Sequence, residues 1–303
     1  VRRANMILKN YKNIIIILVI VTIFILAGFT FKYANKYHKE IPATDEQELK
    51  VNLEAGFGNI RIERGNPKQI VQADIEANLK NDLAEYIDYS NRDKIGYLNI
   101  NTSEAVTHES RRGKSRSLHL SGFEDNNWNM RFTDAIPISF EIELGMGKGD
   151  LDFTGLTVKD LNISTGASSV IMNFDKPNKG EIENLNIETG LSKFKGYGLC
   201  NANFDHLKFE GGVGSYLLDF GGTLDKEVDV DIQVGLGSIT ISIPDDIGAK
   251  VYYEKSWVAS IDLPNDFKEE EENNYFSKNY YNTSGKINLH IEAGLGSVKI
   301  KRE

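Results

Sequence analysis

Cysteine is nearly missing from this chain: Cys200 is the single one among 303 residues. That excludes an internal disulfide and any zinc site built from several thiolates. Proline is scarce too, with 6 against 27 glycines. This balance suits a β protein with many tight corners and not a disordered linker, given the apolar periodicity described below. A basic surplus is also lacking. The net charge is −9, which argues against a nucleic-acid partner, because phosphate binding needs a basic face. Apolar residues still make up 40%. With no disulfide to help, the core alone must hold the fold.

Convergent chemistry is missing as well. His38, His108, His119, His206 and His290 are scattered, with no His-x-Glu or His-Glu-x-x-His spacing. No Gly-x-Ser-x-Gly elbow occurs, and no Gly-x-Gly is completed to Gly-x-Gly-x-x-Gly before a helix. Gly113-Lys114-Ser115 is not a P-loop, because its upstream glycine position holds His108. The run from Glu269 to Glu272 lacks the spaced oxygens and glycine turn of a calcium loop. Cys200 reads as a small packed residue. Neither a catalytic residue nor a cofactor or metal site is expected. Asp150, Asp152 and Asp219 are the acids that a β-helical polysaccharide enzyme would need on an outer wall. Strand alternation alone also puts acids on outer faces.

One long apolar run is present. Ile14 to Phe31 carries no charge, and about 20 such residues span a ~30 Å hydrocarbon core as a helix. The run exceeds a signal-peptide core of roughly 7–15 residues, and no small-x-small cleavage site follows it. Residues 13–33 are therefore read as one transmembrane helix in contact with membrane lipid. Arg2, Arg3, Lys9 and Lys12 precede it, which makes residues 1–12 a cytoplasmic tail. Residues 34–48 read as a polar stalk, and residues 49–303 as the extracytoplasmic domain.

That domain repeats one phrase seven times. Its fullest copy is Ile291-Glu-Ala-Gly-Leu-Gly-Ser-Val-Lys-Ile300. The first glycines are Gly56, Gly145, Gly166, Gly190, Gly212, Gly235 and Gly294. Three and five residues before each glycine every position is apolar; four and six after, all but Gly149 and Gly196 are. Two after stands only glycine or serine. This is period-two alternation on both sides of a hinge. The step from the apolar residue at −3 to that at +4 is odd, so a straight strand would turn its second half the wrong way. The chain must bend or bulge at the glycines. The seven glycines are read as structural hinges, each a corner between two walls.

The central hinges are 21, 24, 22 and 23 residues apart. That spacing predicts an all-β fold, a single-stranded parallel β-helix or β-solenoid with about 22 residues per coil. An antiparallel meander or sandwich is the structural rival. Gaps of 89 residues after Gly56 and 59 after Gly235 read as excursions, near 105–135 and 264–284. The first gap equals about four coils and contains the basic cluster Arg111, Arg112, Lys114 and Arg116. The last phrase closes the sequence, so the terminal coil has no obvious cap, and its free edges predict a homo-oligomer.

The phrases Glu-Thr-Gly190-Leu-Ser and Glu-Ala-Gly294-Leu-Gly-Ser-Val-Lys-Ile resemble the toastrack-type bacterial envelope domains. These include the C-terminal domains of LiaF-like cell-wall stress regulators and related adhesin-like domains of unknown function. The resemblance runs from about Leu49 to Glu303. It implies a parallel rack of strands on the outer face of the cell membrane and transfers no catalytic residue. LiaF-like regulators usually carry several N-terminal spans, whereas one is legible here. The expected role is a membrane-anchored, non-catalytic interaction or sensing scaffold with a protein or cell-wall partner. A wall-polysaccharide enzyme and a regulator of a neighbouring sensor kinase are the alternatives.

Overall fold

The computed structural model describes residues 34–77, 79, 81–102, 126–253 and 259–303. The expected transmembrane helix, the cytoplasmic tail and the basic cluster at 111–116 lie outside them. Among the described residues, no helix is long and apolar enough to cross a membrane.

In chain order the strands are β1 (Asn35–Pro42), β2 (Glu48–Arg64), β3 (Gln69–Ala77), β4 (Ile87–Arg92), β5 (Ile95–Asn101) and β6 (Asn127–Phe132). The central set follows: β7 (Pro137–Asp152), β8 (Thr157–Asn173), β9 (Ile182–Tyr197), β10 (Phe204–Asp219) and β11 (Glu227–Ile243). Then come β12 (Gly248–Tyr253), β13 (Ala259–Asp262), β14 (Phe267–Glu271), β15 (Asn274–Ser277) and β16 (Lys286–Arg302). All join one sheet.

The seven copies of the phrase are β2, β7, β8, β9, β10, β11 and β16, which neighbour one another in that order and pair in parallel. Their register is that of the sequence repeat: Val51 pairs with Phe140, Phe140 with Leu161, and Leu161 with Leu185. Parallel neighbours joined by such short links are incompatible with a meander in this region.

Each long strand must fold in half. β7 has 16 residues and would span about 50 Å if straight. Only residues 153–156 separate it from β8, whose Thr157 pairs with Pro137 at the start of β7. Four residues reach at most about 17 Å, so the far end of β7 returns close to its beginning. The turn is at the glycines, and burial changes phase there. In β11, Val228, Val230, Ile232 and Val234 are buried before the corner, and Ile239, Ile241 and Ile243 after it. The two arms of each coil thus face each other across one continuous core. Phe194, after one corner, packs on Phe209, before the next, with ring centroids 5.7 Å apart.

The links between coils are sealed by two buried asparagines. Asn178 donates to the Val158 and Ala202 carbonyls at 2.7 and 3.1 Å and accepts from the Val158 amide at 2.9 Å. Asn201 donates to the Phe174 carbonyl at 2.9 Å. Each gives backbone groups in a tight link the partners that burial demands.

Four expectations are corrected. First, Asn35–Pro42, read as stalk, is strand β1, antiparallel to β3. Its alternation was broken by lysines because it is a half-exposed outer strand. Second, the 89-residue gap holds no intervening coil of the stack, since β2 and β7 are direct neighbours. Its β5 covers the first arm of β2 and β6 the second. Together they form a split coil, one strand on each arm of β2. The expected excursion near 105–135 therefore ends in sheet from Asn127. Third, the excursion at 264–284 contains the antiparallel hairpin β14–β15, which docks on β12. The acidic run lies on it, and charge on an outer strand blocks further pairing. Fourth, the last phrase does not end the stack. β16 lies between β11 on one side and a second split coil, β12 and β13, on the other. β16 is paired on both sides, so the last phrase itself does not supply the free edge from which a homo-oligomer was expected.

Candidate interaction surface

Stacking in register turns each position of the phrase into a row that runs along the stack, with rungs about 4.8 Å apart. The hinge glycines form the first row. A Cβ on Gly145, Gly166, Gly212, Gly235 or Gly294 would fall 2.4–2.8 Å from the carbonyl oxygen of the glycine on the preceding coil; for Gly190 the distance is 3.0 Å. No side chain fits there without moving backbone. The strained backbone sits two residues later, at Gly58, Gly147, Gly237 and Gly296, with φ between +136° and +146°. Both glycines permit close stacking, the second more tightly: a Cβ on Gly147, Gly237 or Gly296 would fall 1.7–1.9 Å from the carbonyl oxygen of the preceding coil.

On one side of this file lies a row of acids. Two residues before the glycine stand Glu54, Glu143, Ser164, Glu188, Glu210, Gln233 and Glu292, paired rung to rung. Glu188, Glu210, Gln233 and Glu292 border an open groove of about 820 Å³ floored by Gly190, Gly212, Gly235 and Gly294. Lys208 reaches Glu210 at 2.5 Å.

On the other side, one residue after the glycine, lies a file of apolar side chains: Phe57, Met146, Ala167, Leu191, Val213, Leu236 and Leu295. They do not enter the core. Leu191 is 65% exposed, Leu295 54% and Leu236 47%. Sequence reasoning missed this row. The signal was there, an apolar residue at the same place in all seven copies, but it sits at the apex of the corner, outside the two alternating patterns that mark the walls.

A third row crosses the outer face of the first arms. Asn99, Asn52, Glu141, Asn162 and Asn186 stand side by side. Asn186 donates to Asn162 at 2.8 Å, and Asn162 to Glu141 at 3.0 Å. With Lys50 and Tyr97 they border a second groove of about 580 Å³.

The acids singled out for a polysaccharide enzyme do not converge. Asp150 pairs with Arg61 at 2.8 Å. Asp152 accepts from the Thr154 amide at 2.9 Å and Asp219 from the Gly221 amide at 2.9 Å. Asp219 lies three strands away from the other two, about 14 Å. Burial pushes the Cys200 thiol up to about 12, helped by Asp219 and Asp246, so it is not a ready nucleophile. His206 and His290 flank Asp231 at 3.3 and 3.4 Å. Among the described residues no group of three His, Cys, Asp or Glu side chains is placed to hold a metal ion.

Comparison with known proteins gives two family matches. Residues 30–195 match the N-terminal domain of toast_rack, DUF2154. Residues 197–300 match the family described as cell wall-active antibiotics response LiaF, C-terminal. No curated protein matches. Among crystal structures, a candidate cell adhesion protein from Clostridium sporogenes is 23% identical, with a TM-score of 0.43 over 89% of this chain and 100% of its own. A candidate adhesin from Bacteroides fragilis is 14% identical, with a TM-score of 0.35 over 88% of this chain and 97% of its own. A candidate lipid binding protein from Parabacteroides distasonis is 12% identical, with a TM-score of 0.36 over the same shares. Likenesses this distant say nothing about activity.

Proposed function

The chain belongs to the family of the toast_rack N-terminal domain, and on that premise we propose that it is a non-catalytic interaction or sensing scaffold of the bacterial cell envelope. Residues 13–33 anchor it as a single membrane span, with the N-terminus in the cytoplasm and the racked sheet outside. The carrying observation is the conversion of one short phrase into long rows of like side chains. Seven coils in register repeat an apolar row over the length of the stack, beside an acid row interrupted by Ser164 and Gln233. Repetitive surfaces of this kind suit extended partners that are held at many weak points.

Cross-linking the full chain in its native membrane, followed by identification of what is captured, tests this reading. A reproducible envelope protein or wall polymer supports it. Cleavage of envelope glycans by the full chain would overturn its non-catalytic part, and protection of the sheet domain from protease added to intact cells would overturn its orientation.

The match of residues 197–300 to the LiaF C-terminal family favours a second reading, regulation of a neighbouring envelope-stress sensor. Deletion should then change the transcriptional response to a cell-wall antibiotic without changing adhesion.

A further inference from the structure

We infer that the corner of the stack is a docking track for a basic amphipathic helix of a protein partner. The inference rests on the scaffold reading above and names the surface and the chemistry of its occupant.

Leucine or valine at the apex of four successive coils, Leu191, Val213, Leu236 and Leu295, is left in solvent. Scattered apolar residues on a surface are ordinary, but a contiguous file marks an interface. Directly beside it runs the groove bordered by Glu188 and Glu210, with a floor of bare glycine backbone. The occupant must therefore offer an apolar stripe edged by positive charge. Its shape follows from spacing. Rungs repeat about every 4.8 Å, close to the 5.4 Å turn of an α-helix, whereas an extended peptide puts side chains of one face about 6.8 Å apart. The four rungs from Leu191 to Leu295 span about 14 Å, the length of a helix of about 10 residues.

Charge decides against the other occupants. A second copy brings the same net −9 and the same acid row. An anionic bilayer would be repelled by those carboxylates. Lys208 offsets Glu210, and Lys148 and Lys193 stand two residues beyond Met146 and Leu191 on the second arms, but Glu188 and Glu292 keep the groove side of the apex acidic.

The test uses the full chain and two synthetic 20-residue amphipathic helices with identical leucines, one carrying lysines and one glutamates. The lysine helix should bind and the glutamate helix should not. Binding should weaken about tenfold or more with Leu191→Ser, Leu236→Ser and Leu295→Ser combined, and separately with Glu188→Gln, Glu210→Gln and Glu292→Gln combined. These side chains lie outside the core, so unchanged denaturation midpoints certify both variants as folded. Equal binding of the two helices, or loss with the glutamine variant alone, overturns the track. Self-association of the wild type that disappears in the serine variant also overturns it, in favour of a second copy. Native-membrane capture separates the two readings: the same partner captured by wild type and serine variant sinks the track and leaves the scaffold standing, while capture by neither sinks the scaffold.

Discussion

Phe209 and Tyr216 are seven residues apart on one strand, yet their ring centroids are 5.2 Å apart and meet edge to face. On a straight strand the separation would be about 23 Å. The odd step across the glycines brings both rings into the same core. Gly211 makes room, since a Cβ there would stand 2.6 Å from the Tyr216 ring.

This contact is measurable. Phe209→Ala should cost about 3–5 kcal/mol. A double-mutant cycle with Tyr216→Ala should give a coupling of roughly 0.5–1.5 kcal/mol in chemical denaturation. Strict additivity would mean that the strand does not fold back.

Gly296 and Leu295 are sequence neighbours with opposite demands. A Cβ on Gly296 would fall 1.7 Å from the Gly237 carbonyl oxygen, at φ +146°. Gly296→Ala should cost about 3 kcal/mol or more. Leu295→Ala, at the exposed apex, should stay within about 0.5 kcal/mol. Denaturation midpoints of the two variants measured side by side check the contrast.

Asn178 has no apolar substitute. Asn178→Leu leaves the buried Val158 amide and carbonyl without their side-chain partner. The loss should be about 2–4 kcal/mol. The hydrogen-exchange signature should be faster exchange confined first to the link between β8 and β9.

Acid should reveal Glu46. Burial alone would raise its carboxyl, but hydrogen bonds from Tyr89 at 2.5 Å and from the Thr44 hydroxyl and amide at 2.7 and 2.6 Å outweigh it and hold the pKa at about 2. A depressed folded-state pKa stabilises the fold above the ordinary carboxylate pKa of 4.5. That contribution is lost as pH falls through about 2. Glu46→Gln should therefore be less stable than wild type at neutral pH, with the gap closing between about pH 4.5 and 2. A pH-independent gap would show that Glu46 acts through shape alone.

Arg302 clasps the cap. Its guanidinium donates to the carbonyls of Ile247 and Asp245 at 2.9 Å and to Asn279 at 3.2 Å, and it pairs with Asp266 at 3.4 Å. Arg302→Ala should raise amide exchange in Phe267–Ser277 while leaving β7–β10 protected. Uniform loss of protection would mean that the cap and the stack unfold as one unit.

Much of this architecture was legible because stacking and repetition are the same fact. Leu161, Leu185 and Leu207 share a place in the phrase, and they share a place in the core. What failed was whatever lacked the glycines. Val251, Tyr253 and Ile261 stack on Leu289, Ile291 and Val298 as one more coil, but no Gly-x-Gly joins them. Leu98 and Ile100 lie on β5 and Trp128 and Met130 on β6, on the two arms of β2, and no Gly-x-Gly stands between them in the sequence. The apolar apex went unread for another reason. Alternation reports only which face is buried, and Leu191 belongs to neither face.

The order of strands carries a consequence for assembly. β12 and β13 are synthesised before β16 yet lie outside it. The rack cannot close rung by rung in the direction of translation. The outer split coil must either wait unpaired or be displaced while β16 threads between it and β11. Folding of this region is thus a late, non-vectorial event. Delayed delivery of residues 286–302 would leave a gap one strand wide, bounded on both sides by unpaired amides and carbonyls: a sticky intermediate that chaperones would have reason to recognise.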